Sequence, residues 1–405
     1  MPPKLDKIFA GRVGWNLHEN RLNRALIDAK AAGTSLIDLT QSNPTACGFT
    51  YDQQGMEAAL APPGISRYEP DPCGLHGARE AVSLYYREKG IPLTADDLIL
   101  TSGTSEAYSF LFRLLCNPGD EVLIPSPSYP LFDFLADLCD VKLIRYPLHY
   151  DHGWQIDFPA LSAAANKHTR AVIVVNPNHP TGHYTAPTDQ AKLSRFCAER
   201  EIALTADEVF LDFSLAKTRE KSFAGSPEAL TFTLSGISKI CGMPQMKLAW
   251  IALSGPSAQK REALARLEII ADAYLSVGTP VQLAAPALLA MRSSFQHQVL
   301  HRLQANLGEL DAQLSSQSDS NGQSVCNRQS VCDHLICDGG WSVVLRVPAL
   351  QSDEDLAISL LSKAGVYVHP GHFYDFPQPG YAVISLIVPQ AEFAEGVQRV
   401  LNYFR

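Results

Sequence analysis

The stretch Ser235-Gly-Ile-Ser-Lys-Ile-Cys-Gly-Met-Pro-Gln-Met-Lys247 decides how the rest of the chain is interpreted. Lys239 lies among small residues, which let a bulky ligand approach both its amine and the backbone. A lysine in a confined site is desolvated, and desolvation favours the neutral, nucleophilic amine that condenses with aldehydes. The same stretch also fits a surface turn with two solvated lysines, so residues elsewhere in the chain must decide between the two interpretations.

The composition is that of an ordinary globular protein: 405 residues, 46% hydrophobic and 19% charged, with a formal net charge of −9. This acidic balance gives no reason to expect nucleic acid as a partner. No apolar run approaches the roughly 20 residues that span a bilayer, and the N-terminal residues contain no apolar signal segment. Nine cysteines without a framework spacing favour reduced thiols, so we expect a cytoplasmic protein without a membrane partner.

Apolar segments of strand length alternate with segments of helix length through the middle of the chain. Residues 170–176 are the clearest strand, and residues 188–200 form a helix soon after it. Such alternation predicts an α/β fold with a mostly parallel sheet that is covered by helices on both faces. Further strands and helices after residue 340 predict a smaller α+β domain.

Chemically useful side chains fall where the predicted strands end. In parallel α/β sheets, ligands bind beyond the carboxyl ends of the strands. The residues at these ends are Ser102, Tyr129, His179, Asp207 and Lys239. Their convergence on one edge of the sheet is stronger evidence for a site than any single motif.

The segment Ser102-Gly-Thr-Ser105 lies between a predicted strand and a predicted helix. Backbone N–H groups and hydroxyls at the start of a helix point toward a bound anion, so the segment fits a phosphate site. It fits a plain N-cap as well, and the motif is weak on its own.

A polar segment over residues 315–333 repeats Gln-Ser-Val-Cys, and we expect it to be a mobile loop. The candidate metal ligands in and after this segment lack the paired spacing of zinc sites. They are Cys326, Cys332, His334 and Cys337. We therefore expect no metal centre.

Taken together, these motifs resemble the class I/II aminotransferases, pyridoxal-phosphate enzymes of fold type I, from about Ile37 to the C-terminus. The resemblance implies that Lys239, in Ser-Lys-x-x-Gly, forms the Schiff base with pyridoxal phosphate. It implies that Asp207, in Asp-Glu-Val-Phe, keeps the pyridinium nitrogen protonated and the ring an electron sink. Tyr129, in Pro-Ser-Tyr-Pro, would stack on the ring. The alternatives are a helix cap at Asp207 and core packing by Tyr129.

By the same resemblance, Gly103, Thr104 and Ser105 hold the cofactor phosphate, and Tyr68 reaches the phosphate of a neighbouring subunit. This implies a homodimer with shared active sites. The implied large cofactor-binding domain covers residues 45–275, and a small domain combines residues 1–44 with residues 276–405.

Three cofactor positions depart from the family pattern. His179 replaces an asparagine, and Phe210 replaces a tyrosine, that both donate hydrogen bonds to the ring oxygen O3′. Lys247 replaces the phosphate-binding arginine, and a lysine is a point charge without the bidentate fork. We expect these changes to tune the cofactor rather than to remove it.

A fourth departure concerns the substrate. The family's arginine that clamps the substrate α-carboxylate aligns with Val383, and no arginine occurs between Arg346 and Arg399. Losing a bidentate clamp typically costs roughly a few kcal/mol of carboxylate recognition. The candidates for a replacement cation are Arg346, His369 and His372. A solvated charge at a strand edge explains Arg346 equally well.

We predict a pyridoxal-phosphate-dependent aminotransferase that moves an amino group between an amino compound and a 2-oxo acid. Lys239 would carry the cofactor and then shuttle the proton as general acid and base. A β-lyase or decarboxylase is the alternative, because fold alone does not decide the reaction. A non-catalytic binding or regulatory protein is a third hypothesis, which the presence of Lys239, Asp207 and Tyr129 opposes. The amino donor and acceptor stay open.

Overall fold

The computed structural model describes residues 8–216, 221–320 and 331–405. Apolar strands build a central sheet of eight strands, and a separate sheet of four strands lies in the C-terminal part of the chain. The strands are β1 (Ile37–Asp38), β2 (Leu98–Thr101), β3 (Glu121–Ser126), β4 (Lys142–Tyr150), β5 (Trp154–Ile156), β6 (Thr169–Val175), β7 (Ala203–Asp207), β8 (Thr231–Gly236), β9 (Ala249–Ser254), β10 (Asp333–His334), β11 (Ser342–Arg346), β12 (Val366–Tyr367), β13 (His369–Pro370) and β14 (Tyr381–Ser385).

Helices cover both faces of the central sheet and build much of the C-terminal region. Their apolar sides face the strands; α4, for example, buries Tyr108, Phe110 and Leu111. The helices are α1 (Arg21–Ala31), α2 (Gln53–Ala59), α3 (His76–Arg87), α4 (Thr104–Leu115), α5 (Phe132–Asp137), α6 (Phe158–Ala164), α7 (Pro187–Glu199), α8 (Ile237–Ile240), α9 (Ser257–Asp272), α10 (Thr279–Ala290), α11 (Arg292–Ser320), α12 (Asp353–Ser359) and α13 (Gln390–Tyr403).

The central sheet has the strand order β2-β9-β8-β7-β6-β3-β4-β5. Strands β8, β7, β6, β3 and β4 are parallel, β9 is antiparallel to both of its neighbours, and β5 is antiparallel to β4. The mostly parallel, helix-covered sheet predicted from the sequence is confirmed. Because the parallel strands share one direction, their carboxyl ends meet at one edge, where the predicted site residues lie.

The smaller α+β region contains the antiparallel sheet β10-β11-β14-β13. Strand β1 pairs in parallel with β12, so the N-terminal part of the chain packs with the C-terminal part. Leu39, Trp341, Leu386 and Phe393 belong to the core of this region, together with Leu310 of α11. In contrast, α10 packs on α3 and α2 beside the central sheet. The domain boundaries near residues 44 and 276 stay a prediction.

The prediction of a loop over residues 315–333 is wrong at its start, because α11 continues to Ser320. Leu310 and Leu314 anchor this helix in the core. The helix then continues past these buried turns into a polar segment, because each added residue extends a helix that is already formed. Residues 321–330, and Cys326 with them, lie outside the described residues. Within the described ranges, no group of three or more His, Cys, Asp or Glu side chains is arranged to hold a metal ion. The helices of these ranges are also too short or too polar to cross a membrane.

Candidate active site

Lys239 lies in a short helix at the carboxyl end of a buried strand. Strand β8 ends at Gly236, and α8 follows at once and carries Lys239. Gly236 permits the close approach of β9, because a Cβ at this position would lie 2.8 Å from the Cβ of Ala249. The interpretation of this stretch as a surface turn is therefore wrong for Lys239, whose amine is buried.

The amine of Lys239 lies close to two aromatic rings. Its Nζ is 5.3 Å from the ring centroid of Phe210 and 5.0 Å from that of Trp341. Burial lowers the pKa of Lys239 to about 8, although the negative charge of Asp207 acts in the opposite direction. A substantial fraction of this lysine is therefore neutral near pH 8, and the neutral amine is the form that attacks a carbonyl carbon.

Asp207 ends β7, the neighbour of β8, and is 7% exposed. Its carboxylate accepts a hydrogen bond from the Tyr108 hydroxyl at 3.0 Å and one from the Val209 N–H at 3.2 Å. Burial raises the pKa of Asp207 to about 6, even though these hydrogen bonds and the charge of Lys239 lower it. A cationic N–H placed against this buried carboxylate would stabilise its ionised form.

One cleft collects residues from the carboxyl ends of the strands. Six residues predicted from the sequence line it: Thr104, Tyr129, His179, Asp207, Phe210 and Lys239. Tyr129 is 41% exposed and therefore does not merely fill the core, which was the alternative for this residue. The parallel sheet thus places an amine, a carboxylate and an exposed aromatic ring around one volume.

His179 is surrounded by aromatic rings. Its ring centroid lies 6.0 Å from that of Tyr129, 5.8 Å from that of Phe210 and 5.4 Å from that of Tyr374. Burial, and after it the charge of Lys239, lowers the pKa of His179 to about 3. His179 is therefore neutral near pH 7, with one N–H donor and one acceptor nitrogen on its ring.

The start of α4 is open to an anion. Gly103 is the N-cap residue, and no side chain caps the helix. Thr104 lines the cleft, whereas Ser105 is exposed. Backbone N–H groups of the first turn are therefore available at the positive end of the helix dipole, as a phosphate site requires.

Of the predicted phosphate-binding residues, Thr104 lines the cleft, whereas Gly103, Ser105, Lys247 and Tyr68 do not. Lys247 is exposed and follows the turn Pro244–Met246. Tyr68 is 72% exposed and lies in a different surface depression, which also includes Leu275. Their roles stay predictions, and the role of Tyr68 requires a second copy of the chain.

The position of the expected carboxylate clamp is apolar and closed. Val383 on β14 is 2% exposed and pairs with Val344 of β11. Arg346, at the end of β11, is exposed and forms an ion pair with Asp333 at 3.0 Å. Arg346 does not line the cleft, so the structure favours a solvated strand-edge charge over a clamp.

The histidine candidates do not line the cleft either. His372 is exposed on the surface of the smaller region. His369 is half-buried, and its Nδ1 lies 2.9 Å from the Tyr374 hydroxyl. Burial lowers the pKa of His369, which favours its neutral form near pH 7.

Some side chains at or behind the cleft were not recognised from the sequence: Ser42, Tyr108, Trp341 and Ser342. Tyr108 had a usable signal, because it lies one helical turn after Thr104 on the buried side of α4. Trp341 and Ser342 come from the smaller region, and no local motif marks them.

This donor set fits pyridoxal phosphate. Asp207 suits a ring N–H, the exposed face of Tyr129 suits an aromatic ring, the start of α4 suits a phosphate and Lys239 suits an aldehyde.

Known proteins with similar sequences are aminotransferases. The profile of the family "Aminotransferase class I and II" matches residues 35–400. The glutamate-pyruvate aminotransferase AlaA of Haemophilus influenzae is 28% identical over 300 residues, which are 74% of this chain and 74% of that protein. The alanine aminotransferase of Mycobacterium tuberculosis is 25% identical over 379 residues, covering 92% of this chain and 86% of that protein.

Solved structures show the same fold at lower identity. The alanine aminotransferase of Pyrococcus furiosus superposes with a TM-score of 0.84 at 21% identity, over 98% of this chain and 99% of that chain. A double mutant of the Thermus thermophilus aspartate aminotransferase gives a TM-score of 0.84 at 21% identity, over 97% and 99% of the two chains. These superpositions cover nearly the whole chain, so the fold of both sheets is that of the solved aminotransferases.

Proposed function

This chain belongs to the class I and II aminotransferases and is a pyridoxal-phosphate-dependent transaminase, and we propose that Lys239 is its catalytic residue and Asp207 its cofactor-nitrogen ligand. The observation that carries the proposal is the shared cleft, which brings together a lysine with a pKa of about 8 and a buried carboxylate. The overall reaction moves an amino group between an amino compound and a 2-oxo acid.

Bound pyridoxal phosphate supplies an aldehyde that condenses with amines and a ring that withdraws electrons from the amino-bearing carbon. The Lys239 amine is partly neutral because its pKa is lowered, so it would be suited to accept a proton from that carbon of the substrate. Asp207 would accept a hydrogen bond from the ring N–H, and the Tyr108 hydroxyl donates a hydrogen bond that holds the carboxylate in place. The start of α4 would hold the phosphate, and Tyr129 and Phe210 present aromatic surface to the cleft.

His179 is the proposed donor to the ring oxygen O3′. It lines the cleft and is neutral near pH 7, so that one ring nitrogen carries a proton to donate. Phe210 has no hydroxyl, and its ring contributes apolar surface beside Lys239. Fewer hydrogen bonds to O3′ leave a negative charge on that oxygen less stabilised.

We propose that the active enzyme is a homodimer in the cytoplasm. Exposed apolar side chains near Tyr68, among them Ile65 and Leu275, support a surface that is covered by another copy. The described cysteines form no disulfide, which favours a reducing compartment. Light scattering of the holoenzyme should give twice the mass of the 44.2 kDa chain.

The experiment that tests the function is a panel of amino acids and amines added to the yellow holoenzyme. We expect at least one donor to bleach the absorption of the lysine-bound cofactor and to leave pyridoxamine phosphate in the protein. A 2-oxo acid should then restore the original spectrum. Release of ammonia without formation of pyridoxamine phosphate would assign a β-lyase instead, and a spectrum that no donor changes would refute the proposed function.

A further inference from the structure

The turn that follows Lys239 lies directly against the first turns of α11. The backbone carbonyl of Ile240, the next residue, accepts a hydrogen bond from Gln296 Nε2 at 3.1 Å. Gly242 has a positive φ of 67°, and a Cβ at this position would lie 2.4 Å from the ring of Phe295. Two neighbouring residues of α11 therefore contact this turn, and their close approach explains the glycine of the Ser-Lys-x-x-Gly motif.

Gln296 also reaches a buried carboxylate that the proposed chemistry does not use. Its Nε2 donates to Asp212 Oδ2 at 2.8 Å, and the Asp212 side chain is 3% exposed. The same carboxylate accepts a hydrogen bond from the Tyr85 hydroxyl at 3.2 Å and forms an ion pair with Lys89. An amide nitrogen carries two protons, so Gln296 can serve the carboxylate and the Ile240 carbonyl together. Partners on several sides thus fix the position of this amide.

The amide of Gln296 links two segments that meet at the cleft. Asp212 follows Phe210 by two residues in the segment after β7, and Phe210 lines the cleft. On the other side, α8 has only four residues and carries Lys239. A helix this short has few internal hydrogen bonds, so its orientation depends on contacts from outside. The contact with Gln296 therefore bears on where the Lys239 amine lies relative to the cleft.

We propose that Gln296 is a positioning residue for Lys239: its amide, held by Asp212, fixes the Ile240 carbonyl and with it the direction of the lysine side chain. The inference rests on the proposed function, in which Lys239 reacts with the cofactor and transfers a proton. Gln296 does not line the cleft, so it acts through α8. A displacement of a reacting group by about 1 Å can cost roughly 100-fold in rate, so a contact behind the site affects the chemistry.

The test compares Gln296→Met with the wild type in the full-length protein. Methionine keeps the length of the side chain and a good helix propensity, but it donates no hydrogen bond. We expect the apoprotein of this variant to capture pyridoxal phosphate about tenfold more slowly, and kcat of the holoenzyme to fall by a similar factor. The KM of the amino donor should stay within about threefold, because Gln296 does not line the cleft.

Gln298 provides a matched control on the same helix. Its side chain accepts a hydrogen bond from the Thr50 N–H at 2.9 Å and donates one to the Thr50 carbonyl at 3.0 Å, so its contacts lie away from α8. Gln298→Met should leave the capture rate and kcat within about twofold of the wild type. An effect as large as that of Gln296→Met would show that both glutamines only stabilise α11, and would overturn the proposal.

Gln296→Glu separates positioning from packing, because its shape is unchanged. A protonated carboxyl still donates one hydrogen bond, whereas the ionised form only accepts and repels the carboxylate of Asp212. We expect kcat within about threefold of the wild type at pH 6 and about tenfold lower at pH 9. The ratio of variant to wild type removes the contribution of the ionisable groups that both proteins share around this position. These groups are Asp212, Lys89, Tyr85, Arg292, Cys241 and Lys239.

Three further results would overturn the proposal. Gln296→Met could capture the cofactor as fast as the wild type, or its loss could appear in KM alone. The ratio of Gln296→Glu to wild type could also be independent of pH, which would assign the side chain to packing. If Gln296→Met does not fold, the pH series of Gln296→Glu decides alone. A wild-type apoprotein that captures no pyridoxal phosphate would instead refute the proposed function, so the two failures are distinguishable.

Discussion

The two walls of the cleft differ in how they carry charge. The wall built by the central sheet contains the buried carboxylate of Asp207, which accepts a hydrogen bond from Tyr108. The same wall contains Lys239, whose pKa is lowered. The wall built by the smaller region presents Trp341 and Ser342, which are neutral. The wall that faces the cofactor thus keeps ionisable groups in defined pairs, whereas the other wall presents neutral side chains.

The difference follows from what each wall must do. Proton transfer and electron withdrawal require groups whose charge is controlled by burial and by partners, so few residue types serve there. Binding of a substrate acid requires only donors in the right place, and several residue types supply them. We therefore expect substitutions at the first wall to affect turnover and substitutions at the second to affect affinity.

The largest expected effect is at Asp207. Asp207→Ala removes the ring-nitrogen partner, and stabilisation of this kind is worth about 3 kcal/mol or more, so kcat should fall at least about 100-fold. Asp207→Asn, which keeps the shape, should lose nearly as much, because the negative charge is what matters. Steady-state kinetics on the best donor of the panel would measure both. A loss below about tenfold in Asp207→Ala would show that Asp207 does not act on the cofactor.

Much of the first wall could be predicted from the sequence. Lys239 and Asp207 lie in short motifs, and the alternation of strands and helices places both at carboxyl ends of neighbouring strands. Tyr129 and His179 follow from the same rule and line the cleft, whereas Ser102, which the rule also named, does not line it. The end of a strand is marked by nearby residues, so its position can be predicted from the sequence.

The second wall could not be predicted in the same way. Trp341 reaches the cleft only because the smaller region packs beside the carboxyl edge of the central sheet, and no short motif encodes that packing. Arg346 seemed a reasonable clamp from its strand, yet its ion pair with Asp333 depends on the register of β10 and β11.

The next effect is on stability and concerns Val383. A guanidinium at this position would be buried against the apolar side chains of Leu335, Val344 and Phe376. Val383→Arg should therefore lower the free energy of unfolding by about 3 kcal/mol or more rather than create a clamp. Urea denaturation would measure the change, with Val383→Leu as the control, which should lose about 1 kcal/mol. A stable Val383→Arg variant with improved KM for alanine would show that the site opens.

The third prediction concerns the pH dependence of cofactor capture by Lys239. Burial lowers the pKa of Lys239 to about 8, so the neutral fraction of its amine falls about tenfold per pH unit below that value. The rate at which the apoprotein captures pyridoxal phosphate should follow the same curve and level off above about pH 8. Asp207→Asn removes a charge that raises this pKa and should move the curve to lower pH. A midpoint near 10.5, the ordinary value, would mean that the amine is solvated.

The smallest expected effect is at Arg346. Its side chain is exposed and paired with Asp333 outside the cleft lining, so Arg346→Gln should change KM for any acid by less than about twofold. A larger effect at Arg346 would place the acid-binding group on β11 and would contradict the neutral character of the second wall.

The most direct measurement is borohydride reduction of the wild-type holoenzyme, followed by peptide mapping with mass spectrometry. The account predicts one pyridoxyl-modified peptide per chain, with the added mass on Lys239, and no modified lysine in Lys239→Ala treated in the same way. Modification of another lysine in the wild type, or continued covalent capture of the cofactor by Lys239→Ala, would contradict the assignment of Lys239 as the centre of the site.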